Sequence, residues 1–170
     1  MIAYWGEILK TTGKINISLQ KVDTTMECFV TLEKIVQPKR NIDSFNLYKS
    51  EGYGIFVKKD FYPGDVLLEY KGKLITRLET EKAHEEYHSK NERCFIFDVD
   101  WKNSKMRYYI DATYSTCLGR YINDAPKRFS DCRPKTHIIN DNPHLLFFSK
   151  VFIPNGTELQ YDYRDCKNQN

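Results

Sequence analysis

Residues Tyr53 to Thr76 read YGIFVKKDFYPGDVLLEYKGKLIT, a strand, a turn, a strand, a turn and a strand in succession. Pro63-Gly64 supplies the first turn, because proline presets φ and glycine accepts φ > 0. Alternate residues of a strand share a face, so Val66, Leu68 and Tyr70 point the same way. Directly afterwards Thr76 and Glu79 form the T-x-x-E capping box. The polar run ETEKAHEEYHSKN that follows is rich in helix formers, which predicts one surface helix near residues 77–89.

The reading extends outward in both directions. Upstream, INISL (residues 15–19) alternates apolar and polar like a strand. CFVTLEKIV (residues 28–36) fits a short helix or a strand, and Pro38 ends it. Downstream, CFIFDVDW and MRYYIDAT read as strands separated by the turn signal Asn103-Ser104. LGRYINDAPKR is less regular, and HLLFFSKVFI, the turn PNG and ELQYDY follow it. Many short strands with one helix make the chain mostly β, a β-rich α+β fold.

Bulk properties bound the function. A chain of 170 residues with 41% hydrophobic and 29% charged residues suits one globular domain. The net charge is +3, with basic and acidic residues interleaved, which argues against sequence-specific nucleic-acid binding. The five cysteines form no CxxC pair, so no metal site is expected. MIAYWGEILK lacks the pattern of a signal peptide, and LLFFSKVFI is too short for a bilayer. A soluble intracellular protein with reduced thiols and no membrane partner is expected.

GTELQYDY, Gly156 to Tyr163, places two tyrosines one residue apart near the chain's end. In a strand both phenols would face one spot. One phenol in a wall is packing, whereas two aimed together form a candidate site.

Taken in order, Gly52-Tyr53-Gly54, PGD-x4-Y ending at Tyr70, IDAT (110–113), GRYIND (119–124), PHL (143–145) and G-x-ELxYDY resemble the SET-domain protein lysine methyltransferases. The branch most similar monomethylates a lysine of the histone H4 tail. The resemblance covers about residues 42–165. It implies small sheets around a C-terminal pseudoknot, whose two parts are the Arg120–Asn123 and Gly156–Tyr163 segments. It divides the chain into an N-terminal extension (1–41) of unknown role, a SET domain (42–165) and a short tail (166–170) without a recognisable post-SET segment.

The resemblance implies methyl transfer from S-adenosylmethionine to a lysine amine, with a histone tail or another lysine-bearing protein as partner. It extends to the nucleosome and implies a nuclear location. Tyr163 matches the family's catalytic tyrosine. Tyr161 holds the position where tyrosine implies monomethylation and phenylalanine further methylation. Tyr70 matches a lysine-channel tyrosine. Glu51, Gly52, Tyr53, Gly54, Phe95, Arg120, Asn123 and Asp124 match cofactor-side positions, while Asp111 and His144 match structural ones. Four of these depart from the family's pattern. Asp124 stands where the family has histidine, Glu51 and Tyr53 where the branch has basic residues, and Phe95 where it has tyrosine. Two other readings stay open: a degenerate SET domain that binds a lysine-bearing tail without turnover, and a methyltransferase acting on a non-histone protein.

Overall fold

A computed structural model describes residues 29–34, 52–99, 101 and 107–164. Ten short strands run in chain order: β1 (Val30–Lys34), β2 (Tyr53–Val57), β3 (Val66–Tyr70), β4 (Lys73–Thr76), β5 (Ile96–Val99), β6 (Tyr108–Asp111), β7 (Asn123–Asp124), β8 (Cys132–Ile139), β9 (Asn142–Ser149) and β10 (Gln160–Tyr161). One helix, α1 (Arg77–Ser89), lies between β4 and β5, and a 3-10 turn spans Leu118–Tyr121. The strands form four small sheets: β1-β2, β3-β9-β8, β4-β6-β5 and β10-β7. Among the described residues the fold is mostly strands with one helix, as the sequence predicts.

The turn and the cap form as their chemistry predicts. Gly64 has φ +92°, open to glycine at no steric cost. At the start of α1, the Glu79 N–H donates to Thr76 Oγ1 at 3.4 Å, and the Thr76 N–H donates to Glu79 Oε2 at 2.8 Å, so two orphan donors of the first turn are satisfied. The helix buries only Thr80 and Tyr87; a polar helix needs no more than one anchored edge.

Three features differ from the sequence reading. The ambiguous 28–36 stretch holds a strand, β1, which pairs antiparallel with β2 from Val30↔Val57 to Lys34↔Tyr53. Part of the 1–41 segment is thus built into the domain, with Val30 in the core. A long strand, β8, had no legible signal because Pro134 cannot donate to a ladder. It sits at the sheet's edge, beyond β9, where proline is tolerated. Finally, ELQYDY is a strand only at Gln160–Tyr161. The Arg164 N–H donates to Asp162 Oδ1 at 2.9 Å, a side-chain turn that competes with further strand pairing. The INISL stretch lies outside the described residues, as does the Asn103-Ser104 turn.

The C-terminal segment runs between β2 and β7. On one side it bonds to β2, through Leu159 N–H to the Ile55 carbonyl at 2.7 Å and Val57 N–H to the Thr157 carbonyl at 3.0 Å. On the other side β10 pairs parallel with β7, Gln160↔Asn123 and Tyr161↔Asp124. The Asp131 N–H adds a bond to the Gln160 carbonyl at 3.0 Å. Ile55, Leu67, Leu68, Leu145, Phe147 and Leu159 are wholly buried around this crossing. Their burial accounts for the segment's place, at roughly 1.5–3 kcal/mol for each large side chain removed from water.

Candidate functional site

The site is assembled where the crossing brings β3, β5 and β10 together. Phe97 on β5 joins the tyrosines predicted from sequence. Its ring centroid lies 5.4 Å from Tyr70 and 6.1 Å from Tyr161. Tyr161 also packs on Phe147 at 5.0 Å and on Tyr163 at 4.6 Å. These spacings suit offset and edge-on ring contacts. Tyr70, Phe97, Tyr161 and Tyr163 therefore form one continuous aromatic row. The two terminal phenols do stand side by side, but in unequal settings. Tyr161 is buried, while Tyr163 is 45% exposed beyond the end of β10.

Each end of the row is fixed by a phenol hydrogen bond to main chain. The Tyr70 hydroxyl donates to the Phe95 carbonyl at 2.8 Å, which also accepts from the Ala112 N–H at 2.8 Å. The Tyr163 hydroxyl donates to the Ile122 carbonyl at 2.8 Å. A phenol has one proton, so towards any further group both oxygens can only accept. Burial, reinforced by nearby Cys117 and Tyr163, pushes the Tyr70 phenol far above its ordinary range, so this side chain stays neutral.

The residues expected on the cofactor side lie beside the row. Arg120, in the 3-10 turn, stacks against Phe95 at 5.1 Å and Tyr121 at 4.7 Å from their ring centres. Its guanidinium donates to the Ala112 and Thr113 carbonyls and to the Tyr121 hydroxyl. Its buried Nε has no hydrogen-bond partner among the described residues. Tyr121 contacts Tyr53 edge-on at 6.3 Å. Both N–H groups of the Asn123 amide are engaged: Nδ2 donates to the Tyr53 carbonyl at 3.0 Å and to Glu158 Oε1 at 2.9 Å. Two acceptors on that nitrogen fix which way the amide points, leaving Oδ1 as its acceptor. Gly52 and Gly54 flank Tyr53 at the start of β2. Glu51 falls outside the described residues.

Asp124 behaves differently from its neighbours. Its Oδ1 accepts the Tyr163 N–H at 2.9 Å, so its side chain reaches the phenol segment. Of the two residues expected to be structural, Asp111 accepts from the Tyr87 hydroxyl at 2.6 Å, and His144 Nδ1 meets Glu69 Oε1 at 2.6 Å.

Sequence reasoning missed Phe97, Tyr121 and Glu158. A signal existed for the first, since Phe95 and Phe97 alternate onto one face of CFIFDV. It also missed the close approach at Gly119, where an added Cβ would lie 2.9 Å from the Glu69 carbonyl oxygen and 3.1 Å from Tyr70 Cα. That glycine lets the Arg120 turn sit directly on β3.

The SET-domain family model matches residues 52–164. N-lysine methyltransferase KMT5A of Xenopus tropicalis is 34% identical over 122 residues, 71% of this chain and 35% of that protein. Histone-lysine N-methyltransferase Set8 of Drosophila melanogaster is 32% identical over 120 residues, 69% of this chain and 17% of that protein. This chain spans about a third of the length of the KMT5A relatives it matches. Among solved structures, CpSET8 from Cryptosporidium aligns with a TM-score of 0.63 at 31% identity, covering 79% of this chain and 56% of that one. A ctPRC2 structure, autoinhibited and bound to S-adenosylmethionine, aligns at 0.60 with 26% identity, covering 80% of this chain and 15% of that one.

Proposed function

This chain belongs to the SET-domain family, and from that premise we propose that it is a protein-lysine N-methyltransferase using S-adenosylmethionine. The substrate we assign is a lysine of a histone H4-like tail, reached in the nucleus and on the nucleosome, and the product is monomethyl-lysine. The catalytic domain is residues 42–165, with β1 contributed from the preceding extension. The observation that carries this reading is the aromatic row Tyr70–Phe97–Tyr161–Tyr163 beside the hydrogen-bonded Arg120 and Asn123 side chains.

The cofactor-side residues fit the group. The orphaned, buried Nε of Arg120 calls for an acceptor, and a carboxylate is the strongest available to it. Asn123 Oδ1 calls for a donor, such as an ammonium. The faces of Phe95, Tyr121 and Tyr53 supply apolar surface. When bound, S-adenosylmethionine supplies a methyl group activated by its sulfonium.

The chain's own residues do the rest. On this reading the lysine stem lies along the row, whose members Tyr70, Phe97 and Tyr161 are buried from water. Its apolar walls disfavour an ammonium, so the amine loses its proton more readily there. Because the Tyr70 and Tyr163 protons are committed to carbonyls, their oxygens face the reacting groups as acceptors, for amine N–H or polarised methyl C–H. Tyr161 limits the space around the amine. Holding the reactants in line contributes several kcal/mol to the lowering of the barrier, an order-of-magnitude figure.

Calorimetry of S-adenosylmethionine binding to the purified chain, followed by mass spectrometry of a histone H4 tail peptide, tests the proposal. Micromolar binding and a single added methyl group are expected. Failure to bind millimolar cofactor would overturn the enzyme reading and leave a lysine-tail binding module.

A further inference from the structure

Asp124 lies where the parallel pairing of β7 and β10 ends. The register stops at Tyr161↔Asp124, and the Ala125 N–H donates to the Tyr161 carbonyl at 3.0 Å. Two residues beyond Tyr161, the Tyr163 N–H donates to a side chain, Asp124 Oδ1, at 2.9 Å. The carboxylate therefore adds a rung to a ladder whose regular pairing has finished. At its other end Tyr163 is held by the same short segment, through its hydroxyl and the Ile122 carbonyl at 2.8 Å. One tripeptide thus grips the backbone and the phenol of Tyr163, and the ring stands 4.6 Å from that of Tyr161.

We propose that Asp124 is a positioning residue for Tyr163, setting the place of its phenol beside Tyr161 rather than binding cofactor. The inference rests on reading Tyr163 as the phenol at the point of methyl transfer. A charged acceptor on a main-chain N–H makes a stronger hydrogen bond than a neutral one. A short side chain holds that acceptor close to its own backbone. Losing it removes the bond between Asp124 and the Tyr163 main chain, and small misplacements of a positioned group are costly to rate.

The test uses the whole chain with Asp124→Ala and Asp124→Asn. Three quantities are read: hydrogen–deuterium exchange at the Tyr163 amide, S-adenosylmethionine affinity by calorimetry, and turnover of a histone H4 tail peptide. In Asp124→Ala, Tyr163 exchange should accelerate and turnover should fall about five- to tenfold, the effect of one hydrogen bond. Cofactor affinity should stay within about twofold of the parent's, since the lost bond is to Tyr163 and not to the cofactor. Asp124→Asn keeps an acceptor oxygen and should restore most of the exchange protection and turnover. A loss of affinity that matches the loss of turnover would make Asp124 a cofactor ligand and overturn the inference. Unchanged exchange at Tyr163 would overturn it as well. If the parent chain neither binds cofactor nor turns over, the enzyme reading falls, and the exchange experiment alone decides whether Asp124 holds Tyr163.

Discussion

The two halves of the site are made of different material. The phenol row is core: Tyr70, Phe97 and Tyr161 are each at most 6% exposed and belong to the main hydrophobic cluster. The cofactor side is a loop assembly, with Tyr53 at 52% exposure and its geometry set by hydrogen bonds from Arg120 and Asn123 to main chain. A core residue cannot change without disturbing its neighbours. A surface contact made through a carbonyl oxygen depends less on the side chain of the residue that supplies it. Of the departures from the family's pattern, Tyr53 and Phe95 lie on this second side, Asp124 reaches across to the Tyr163 backbone, and Glu51 lies outside the described residues, while Tyr70, Tyr161 and Tyr163 are the expected residues.

Phe97→Ala should give the largest effect and tests whether the row is truly core. Removing a buried aromatic costs about 3–5 kcal/mol, which corresponds to roughly 10 °C in melting temperature for a chain of this size. It also separates Tyr70 from Tyr161, so turnover should collapse together with stability. Calorimetric melting and peptide methylation measured on the same sample check both. A variant that melts normally would mean the row is a surface lining.

Tyr163→Phe separates chemistry from packing, because Tyr163 is the exposed end of the row. One hydrogen bond to a carbonyl is lost, about 1 kcal/mol, or a few degrees of melting temperature. Turnover should fall by on the order of a hundredfold or more, as for removal of other positioned polar groups in enzyme sites. If activity declines only as far as the folded fraction does, Tyr163 is a packing residue.

Tyr161→Phe has a smaller effect on rate and a qualitative one on product. The ring stays between Phe147 and Tyr163, so stability should change by no more than about 1 kcal/mol. Without the hydroxyl there is more room at the amine, and the product should shift from mono- to dimethyl-lysine by mass spectrometry. A product that remains monomethylated would remove Tyr161 from the assignment.

What was legible in the sequence follows the same division. Elements specified by local chemistry were readable: the Pro63-Gly64 turn, the Thr76–Glu79 box and the helix up to Ser89. The alternation of Val66, Leu68 and Tyr70 was readable only in part: all three are buried, but so is Leu67, and a register shift between Val66 and Leu68 interrupts the regular strand. The pairing of β7 with β10 was not, because a two-residue parallel contact between segments some forty positions apart leaves no periodic trace. It entered only through the resemblance of ordered motifs. β8 was hidden by Pro134, whose missing N–H argues against a strand until its edge position is known. The orientation of the Asn123 amide could not be read either. It depends on Glu158 and on the Tyr53 carbonyl, which only the folded chain brings together.

The smallest predicted effect lies at the join of the two halves, on Asp162 between the two phenols. Hydrogen bonds from the Arg164 side chain, with its backbone N–H, hold the Asp162 carboxyl down at about 2, below the ordinary value of about 3.9. A depressed carboxylate stabilises the fold above its unfolded pKa, and that contribution is lost as pH falls from about 4 through about 2. The Arg164 side chain is 74% exposed, so solvent weakens the pair and only a degree or two of melting temperature is at stake. Arg164→Ala should therefore melt slightly below the parent at pH 5, and the gap should narrow as pH falls from about 4 and close only below about 2. The same pair ends β10 and turns Tyr163 out of the strand, so its loss should also loosen the exposed phenol without touching the buried one. Convergence of the melts, with Tyr161 still protected and Tyr163 more mobile by ring NMR, would place the boundary between core and loop assembly at Asp162. A gap as wide at pH 2 as at pH 5 would mean that Arg164 contributes through its stem rather than its charge, and the boundary would then lie elsewhere.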